Sequence, residues 1–343
     1  MEKPQTLEVP GYQVLKYLGT GARSSIWQIR NLESGEIYAL KRVVKQHASD
    51  QRFLDQAINE YEVGRYLKHN TIRRVYDLHR LKKWFAVREI HLVMEFCQGK
   101  TIQERRIEDV LENVRAFIQV AEGLVYMNAQ GIIHADMKPN NIVVAGEQAK
   151  IIDLGQSCQS GTVKTRIQGT PDFIAPEQVQ RRPLDARTDV FNFGATLYWA
   201  LTGTAIPTVL PKQQGLRTPD RMQATPVDEL NPEVPRPLAN LVTHCIQYQP
   251  RKRIQTMEDV LSRLQMTAHI LQRQNGQGEP PQTEPAESQP DEQPPADPLE
   301  HIEGIDDSEE VSDLAELEDT ELLGHLDPEE QPDDERTDRP EEK

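Results

Sequence analysis

The hydrophobic period changes part-way along the chain. Three early runs, Tyr12 to Leu18, Ser25 to Asn31 and Ile37 to Val44, are rich in β-branched and aromatic residues and are punctuated by Gly19, Gly21 and the Ser34-Gly35 turn, which predicts the strands of a small sheet. Phe53 to Lys68 then carries Phe53, Ala57, Tyr61 and Leu67 at roughly helical spacing, before strand-like runs return at Arg73 to His79 and Ile90 to Phe96. One helix is expected among five strands. Beyond Gly99 the runs lengthen. Val110 to Gln130, Asp189 to Leu201, Pro237 to Tyr248 and Met257 to Arg273 predict amphipathic or buried helices, so the second half reads as helical. No internal repeat is evident.

After Tyr248 no aromatic residue occurs, and from Gly276 onward Pro, Glu, Gln and Asp dominate, with 10 of the 24 prolines in that stretch. Such a segment cannot bury enough apolar surface to offset its chain entropy, so residues 275–343 are expected to form a disordered acidic tail. Val311 to Leu323 interrupts the pattern with Leu314, Leu317 and Leu322 at spacings a transient helix would use, although the composition favours a solvated tail. Charge sharpens the division. Asn275 to Lys343 holds 26 acids and 3 bases, a net of −23, so the overall −16 leaves +7 on Met1 to Gln274. At roughly 150 residues per domain, the 343 residues allow about two units.

Several classes fall away. No apolar run approaches the roughly 18 to 20 residues of a membrane-spanning helix, the nearest being the interrupted Val190 to Leu201. The opening MEKPQTLEVPGY has no apolar stretch of the secretory kind, so a cytoplasmic location is expected. Cys97, Cys158 and Cys245 are odd in number and widely spaced, which fits neither a disulfide framework nor a Cys-rich zinc site. Reduced thiols are expected.

The first candidate chemistry is Leu18-Gly-Thr-Gly-Ala-Arg-Ser-Ser-Ile26, between two expected strands. Flexible glycines there would let backbone N–H groups approach phosphate oxygens. Alone this is weak: a Gly-x-Gly turn is more often an ordinary hairpin, and Ser24 stands where a third glycine would complete G-x-G-x-x-G. Lys41 follows in an otherwise apolar strand, where its ammonium needs an anionic partner unless it snorkels to an edge. Glu60 on the expected helix would supply that carboxylate, although a solvated helix face also explains it. The decisive stretch runs from Gly131-Ile-Ile-His-Ala-Asp-Met-Lys-Pro-Asn-Asn-Ile-Val-Val144 to Ile151-Ile-Asp-Leu-Gly155. Two strand fragments each present a carboxylate at a turn, and Asn141 sits five residues after Asp136, a spacing that suits one base, one lysine and two oxygen ligands for a hard metal.

At this point the chain resembles the eukaryotic-type serine/threonine protein kinases over Tyr12 to Gln272. The Gly-rich turn, the strand lysine, H-x-D-x-K-P-x-N, D-x-G, Ala175-Pro176-Glu177 and Asp189-Val-Phe-Asn-Phe-Gly194 occur in the family's order. The resemblance implies an α+β, bilobal fold with a β-rich N-lobe (12–96) and a helical C-lobe (97–272), followed by the acidic tail (275–343). It also implies ATP and Mg²⁺ as cofactors and protein Ser/Thr hydroxyls as acceptors. Leu18, Gly19, Thr20 and Gly21 would cover the nucleotide, and Lys41, held by Glu60, would bind its α- and β-phosphates. Ile26, Ala39 and Val143 would sandwich adenine, Glu95 and Cys97 would form the hinge, and Met94 would be the gatekeeper. Asn141 and Asp153 would ligate Mg²⁺, Asp136 would accept the hydroxyl proton, and Lys138 would steady the γ-phosphoryl group. Lys138 with Thr170 resembles the serine/threonine branch. Glu177 and Arg253 match the family's buried ion pair, and Asp189 would hold the catalytic loop through backbone bonds.

Departures are equally specific. The commonest catalytic loop in the family reads His-Arg-Asp, and here it is His134-Ala135-Asp136. The arginine that usually grips a phosphorylated activation loop is missing, so activity is expected not to depend on Ser157, Ser160, Thr162 or Thr165. Leu154 replaces the usual Phe. Gly64 falls where relatives carry a bulky apolar spine residue, which predicts a loosened helix. Glu62 is the fallback for Glu60. Thr101 and Asn140 stand where basophilic relatives place acids, so no strong arginine preference is expected, and the net +7 favours acidic or neutral substrates. Ser308, Ser312 and Thr320 make the tail itself a candidate for autophosphorylation or for intramolecular docking. No nucleic-acid partner is expected. The competing readings are a pseudokinase binding scaffold and a small-molecule phosphotransferase.

Overall fold

The computed structural model describes residues 7–21, 23–207 and 224–276. The chain divides into two units, Met1–Gln282 and Thr283–Lys343. Every described residue belongs to the first, so the expectations for the tail, including Ser308, Ser312, Thr320 and the leucine island, lie outside the described residues.

Five strands form one antiparallel sheet in the order β1 (Tyr12–Gly21), β2 (Ser24–Asn31), β3 (Ile37–Val44), β5 (Ala86–Glu95) and β4 (Val75–Lys83). On the inner strands Ile29, Leu40, Val43, Ile90, Leu92 and Val93 are buried, which is the burial that β-branched and leucine side chains reward. The one α-helix among the described residues of the first 96, α1 (Gln51–Gly64), lies against the sheet through Leu54 and Ala57. It begins and ends earlier than the expected Phe53 to Lys68, because Gly64 closes it and only Leu67 of the last expected residues returns to the core. Both β4 and β5 exceed their expected lengths. Their outer halves, Arg80 to Lys83 and Ala86 to Glu89, show no alternation of polarity because nearly all of those side chains are in water. Trp84 and Phe85 form the turn.

The remaining elements are mainly helical. Helix α2 (Val110–Ala129) starts at Asp109, whose side chain accepts the Glu112 N–H at 2.7 Å. The short strands β6 (Lys100–Thr101), β7 (Ile132–Ile133), β8 (Ile142–Ala145), β9 (Gln148–Ile151) and β10 (Cys158–Gln159) make a three-stranded sheet β6-β8-β9 and a pair β7-β10. These short strands anchor the turns that carry Asp136, Asn141 and Asp153. The helices α3 (Pro176–Val179), α4 (Ala186–Thr202), α5 (Val227–Leu230), α6 (Arg236–Cys245) and α7 (Met257–Gly276) follow. Helix α4 is buried on every side, as its Val-Phe-Asn-Phe-Gly-Ala run requires. Phe193 meets Phe117 of α2 edge-on, with centroids 5.4 Å apart. No helix among the described residues is long and apolar enough to cross a membrane.

Candidate active site

The Gly-rich segment spans the end of β1 and the start of β2, with Gly19 opposite Ile26 and Gly21 opposite Ser24. The Thr20 hydroxyl donates to the Ser24 carbonyl at 3.0 Å. Arg23 takes a left-handed φ of 60°, and its guanidinium reaches Asp50 Oδ1 at 3.1 Å and Gln46 Oε1 at 2.7 Å. Asp50 is buried just before α1 and also accepts the Gln46 and His47 N–H groups. The Gly-rich turn is thereby tied to the start of α1, a link between residues far apart in the chain that no motif announces.

Lys41 on β3 points beneath this turn. Its Nζ donates to Glu60 Oε2 at 2.6 Å and lies 3.5 Å from Asp153 Oδ1. Burial opposes the charge on Lys41, but Asp153 and Glu60 outweigh it and raise its pKa above the ordinary lysine value. Glu60 is fully buried and has a second cation, since Arg73 Nη2 donates to Oε1 at 2.8 Å. Arg73 was not singled out from the sequence, because one arginine beside a strand carries no pattern. Glu62, the fallback, is exposed and pairs with Arg65 instead. Next to Glu60, Asn59 donates its amide to the carbonyl oxygens of Gly155 at 3.2 Å and Ser157 at 2.9 Å, so α1 also grips the segment after Asp153.

The contact expected to be missing at Gly64 is filled from elsewhere in the fold. Gly64 is the last residue of α1 and is buried, and a Cβ there would lie 2.5 Å from Val75 Cγ2 and 3.4 Å from Leu154 Cδ1. The side chain absent from the helix is supplied by Val75 from β4. Leu154 closes the same apolar contact from the Asp153-Leu-Gly segment.

Across the cleft, Lys138 Nζ donates to Asp136 Oδ2 at 2.7 Å and to Thr170 Oγ1 at 3.0 Å, while the Thr170 hydroxyl donates to Asp136 Oδ1 at 3.3 Å. Burial raises the pKa of Asp136 above the usual aspartate value, against the pull of Lys138. Asn141 donates its amide N–H to the Asp136 carbonyl at 2.8 Å, which commits the NH₂ and leaves the amide oxygen as a donor atom for a cation. Asp153 has a left-handed φ of 68°. Burial disfavours its charge, yet Lys41 and the Gly155 N–H at 3.1 Å hold it well below the usual carboxylate range. Gly19, Lys41, Asp136, Lys138, Asn141 and Asp153 all line one cleft.

The other expected nucleotide residues occupy the strip behind it. Ala39 pairs with Met94 across β3 and β5, both buried, and Ile26 faces Lys41 from β2. Val143 sits between Thr101 and Lys150 in the small sheet. Glu95 forms an ion pair with Lys150, its carbonyl oxygen accepts weakly from Cys97 Sγ, and Leu18 is exposed at the end of β1.

The supports beneath the loop are dense. Asp189 accepts the N–H groups of His134 at 3.0 Å and Ala135 at 2.9 Å and the Asn128 amide at 2.9 Å, which fixes Ala135 at a left-handed φ of 60°. Burial pushes Asp189 up to about 6 in spite of these donors. His134 is fully buried, which lowers it to about 4. Arg253 clamps Glu177 with two bonds of 2.7 and 2.8 Å and stacks on Phe191. Gln178, buried, donates to the Ala135 carbonyl at 2.7 Å and accepts the Ala175 N–H at 2.9 Å and the Asn192 amide at 3.0 Å. Ser157 is buried, with its hydroxyl on the His134 carbonyl at 3.5 Å, so it offers no accessible acceptor in this state. Ser160 and Thr165 are exposed and Thr162 is half-buried.

Residues 12–264 match the family model described as "Protein kinase domain". Among curated proteins, the chain is 26% identical over 270 residues to a probable serine/threonine-protein kinase of Clostridium acetobutylicum, covering 74% of this chain and 39% of that one. It is 33% identical over 202 residues to the serine/threonine-protein kinase TIO of Arabidopsis thaliana, covering 57% and 15%. It is 29% identical over 216 residues to CBL-interacting protein kinase 26 of Oryza sativa subsp. japonica, covering 59% and 42%. The chain thus spans less than half the length of each of these relatives.

Proposed function

The chain belongs to the protein kinase domain family, and from that premise we propose that it transfers the γ-phosphoryl group of ATP to Ser or Thr hydroxyls of proteins. The observation that carries this reading is the Asp136, Lys138 and Thr170 cluster, mutually hydrogen-bonded across the cleft from the Lys41, Glu60 and Asp153 cluster. Transfer through a loosely bonded transition state asks mainly for position and charge. Asp136 is placed to accept the acceptor hydroxyl's proton, and its raised affinity for protons suits that role. Lys138, whose charge and hydrogen bond favour the carboxylate form of Asp136 against burial, presents a cation to the moving phosphoryl group. Lys41, fixed by Glu60, meets the non-transferred phosphates. The hydroxyl side of the reaction fits Thr170, which stands beside the base.

The residues present also fit Mg²⁺. Asp153 contributes an ionised carboxylate and Asn141 an amide oxygen, a hard donor set of the kind such an ion shares with phosphates and waters. The bound ion would screen charge on the phosphates. Intact Lys41, Glu60, Asp136, Asn141 and Asp153 support catalysis over a binding-only scaffold, and Lys138-Pro139 with the Ala175-Pro176-Glu177 segment supports a protein rather than a small-molecule acceptor.

The same reading takes 12–272 as the catalytic domain, a cytoplasmic location, and a preference for acidic or neutral targets. It also takes the −23 tail as a candidate for intramolecular docking on the +7 remainder. The test is transfer from radiolabelled ATP with Mg²⁺ to generic protein substrates. Wild type should label Ser and Thr, and Asp136→Asn should lose about 10²- to 10⁴-fold of the rate. Folded protein that binds nucleotide and transfers nothing would reduce the chain to a scaffold.

A further inference from the structure

Far from the cleft, the β4–β5 hairpin ends in two adjacent aromatic side chains with almost no protein around them. Trp84 is 88% exposed and Phe85 99% exposed, and Leu81 just behind them is also exposed. Lys83 pairs directly with Ala86, so these two residues are the whole turn, and Trp84 holds a left-handed φ of 61° where Asn or Gly is the relaxed choice. Arg80, Lys82, Lys83 and Arg88 are exposed on the same hairpin, with no acid between Arg80 and Arg88. Lys45 joins them, since its N–H donates to the Arg88 carbonyl at 2.8 Å. None of these five cations has an ion-pair partner among the described residues: Lys45 Nζ rests on the Gln51 amide oxygen, and nearby Glu89 is already taken by Arg42 and His91. Lys45, Lys83 and Arg88 line one shallow hollow whose other wall is Trp84, Phe85 and Ala86.

We propose that this hairpin tip docks on the surface of an anionic phospholipid bilayer, Trp84 and Phe85 entering the headgroup layer while Lys45, Lys83 and Arg88 meet lipid phosphates. Charge complementarity selects the occupant, because uncommitted cations beside exposed aromatics match negative headgroups above an apolar boundary. Size selects it over a protein. Two aromatic side chains offer roughly 150–250 Å² each, short of the about 800 Å² per partner that a stable protein interface buries. A projecting tip needs no matching surface to enter a bilayer.

The experiment is flotation of the full chain with vesicles of phosphatidylcholine alone or mixed with phosphatidylglycerol, at low and high salt. Binding is expected only to the mixed vesicles, weakening with salt. Trp84→Ser with Phe85→Ser, and separately Lys83→Glu with Arg88→Glu, should each weaken it roughly tenfold or more, with thermal unfolding unchanged because these side chains are exposed. Tryptophan emission adds an independent reading: Trp27 is buried and Trp199 half-buried, so a blue shift on adding mixed vesicles reports Trp84 and should vanish in Trp84→Phe. Excess inorganic phosphate should leave vesicle binding in place apart from its ionic strength. The proposal is overturned by absence of binding at low salt, by binding that survives the double serine variant, or by full displacement with inorganic phosphate where sodium chloride of equal ionic strength leaves binding in place. Self-association that the serine variant abolishes without any vesicle binding would assign the tip to a second copy and also overturn it.

Discussion

Gln178 donates its side-chain amide to the carbonyl oxygen of Ala135 at 2.7 Å, so the residue after Glu177 is bonded to the position where most relatives in the family carry an arginine. The same amide accepts from Ala175 and Asn192, which ties the turn at Ala135, the start of α3 and helix α4 into one buried set.

Gln178→Ala should therefore be costly. It orphans buried partners at about 1–3 kcal/mol each, and both the unfolding midpoint and phosphoryl transfer should fall. Combined alanines at Ser160, Thr162 and Thr165 should leave transfer largely unchanged. If instead the triple variant is dead and Gln178→Ala is active, the loop depends on phosphorylation.

Gly64→Ala should destabilise by about 1–3 kcal/mol through overpacking against Val75. Val75→Ala in the same chain removes the colliding Cγ2, so the pair should be much less than additive in urea unfolding. Simple additivity would show that the helix end moves freely.

Breaking the Glu177–Arg253 pair on one side should be among the most damaging changes in the helical half. Both side chains are almost completely buried, and a stranded buried charge typically costs about 3–5 kcal/mol. Glu177→Gln should lower the unfolding midpoint far more than Asp228→Asn, whose partner Arg236 is solvent-exposed.

Acid should weaken the fold through His134. The unfolded chain protonates this side chain near 6.5, whereas burial holds it neutral in the fold down to about 4. Within that window the native state binds fewer protons. Its stabilising contribution is complete above 6.5 and is lost as the pH falls toward 4. Asp189, raised to about 6, runs the opposite way: the native state keeps that proton longer, so this site favours the fold more below pH 4 than above 6. Comparison with His134→Phe isolates the histidine. The stability gap between the two proteins should change by about 2 kcal/mol between pH 7.5 and 5, and a constant gap would show that His134 titrates alike in both states.

The legible parts of this molecule are those whose chemistry is spelled out by neighbours in sequence. Asp136, Lys138 and Asn141 share one turn, so their spacing alone proposes a base, a cation and a ligand. Lys41 and Asp153 each stand out as a charge in an apolar strand context. Strands β1 to β3 were readable from their β-branched and aromatic runs, and the long helices from apolar residues at helical spacing. The outer half of the β4–β5 hairpin was not, since both of its faces meet water and no alternation survives. Val75 filling the slot left by Gly64, Arg73 on Glu60, Arg23 on Asp50 and Gln178 under Ala135 share a different obscurity. Each joins segments that only the folded chain brings together, and none has a fixed offset to betray it.

The paired cations on Glu60 bear on how a substitution at Lys41 would behave. Removing the ammonium of Lys41 leaves the carboxylate still matched by Arg73 on the other oxygen, so Lys41→Met should abolish nucleotide handling while the helix keeps its inward pose. Moving the helix away from β3 and Arg73 would break both bonds at once, so its position should survive the loss of either cation alone.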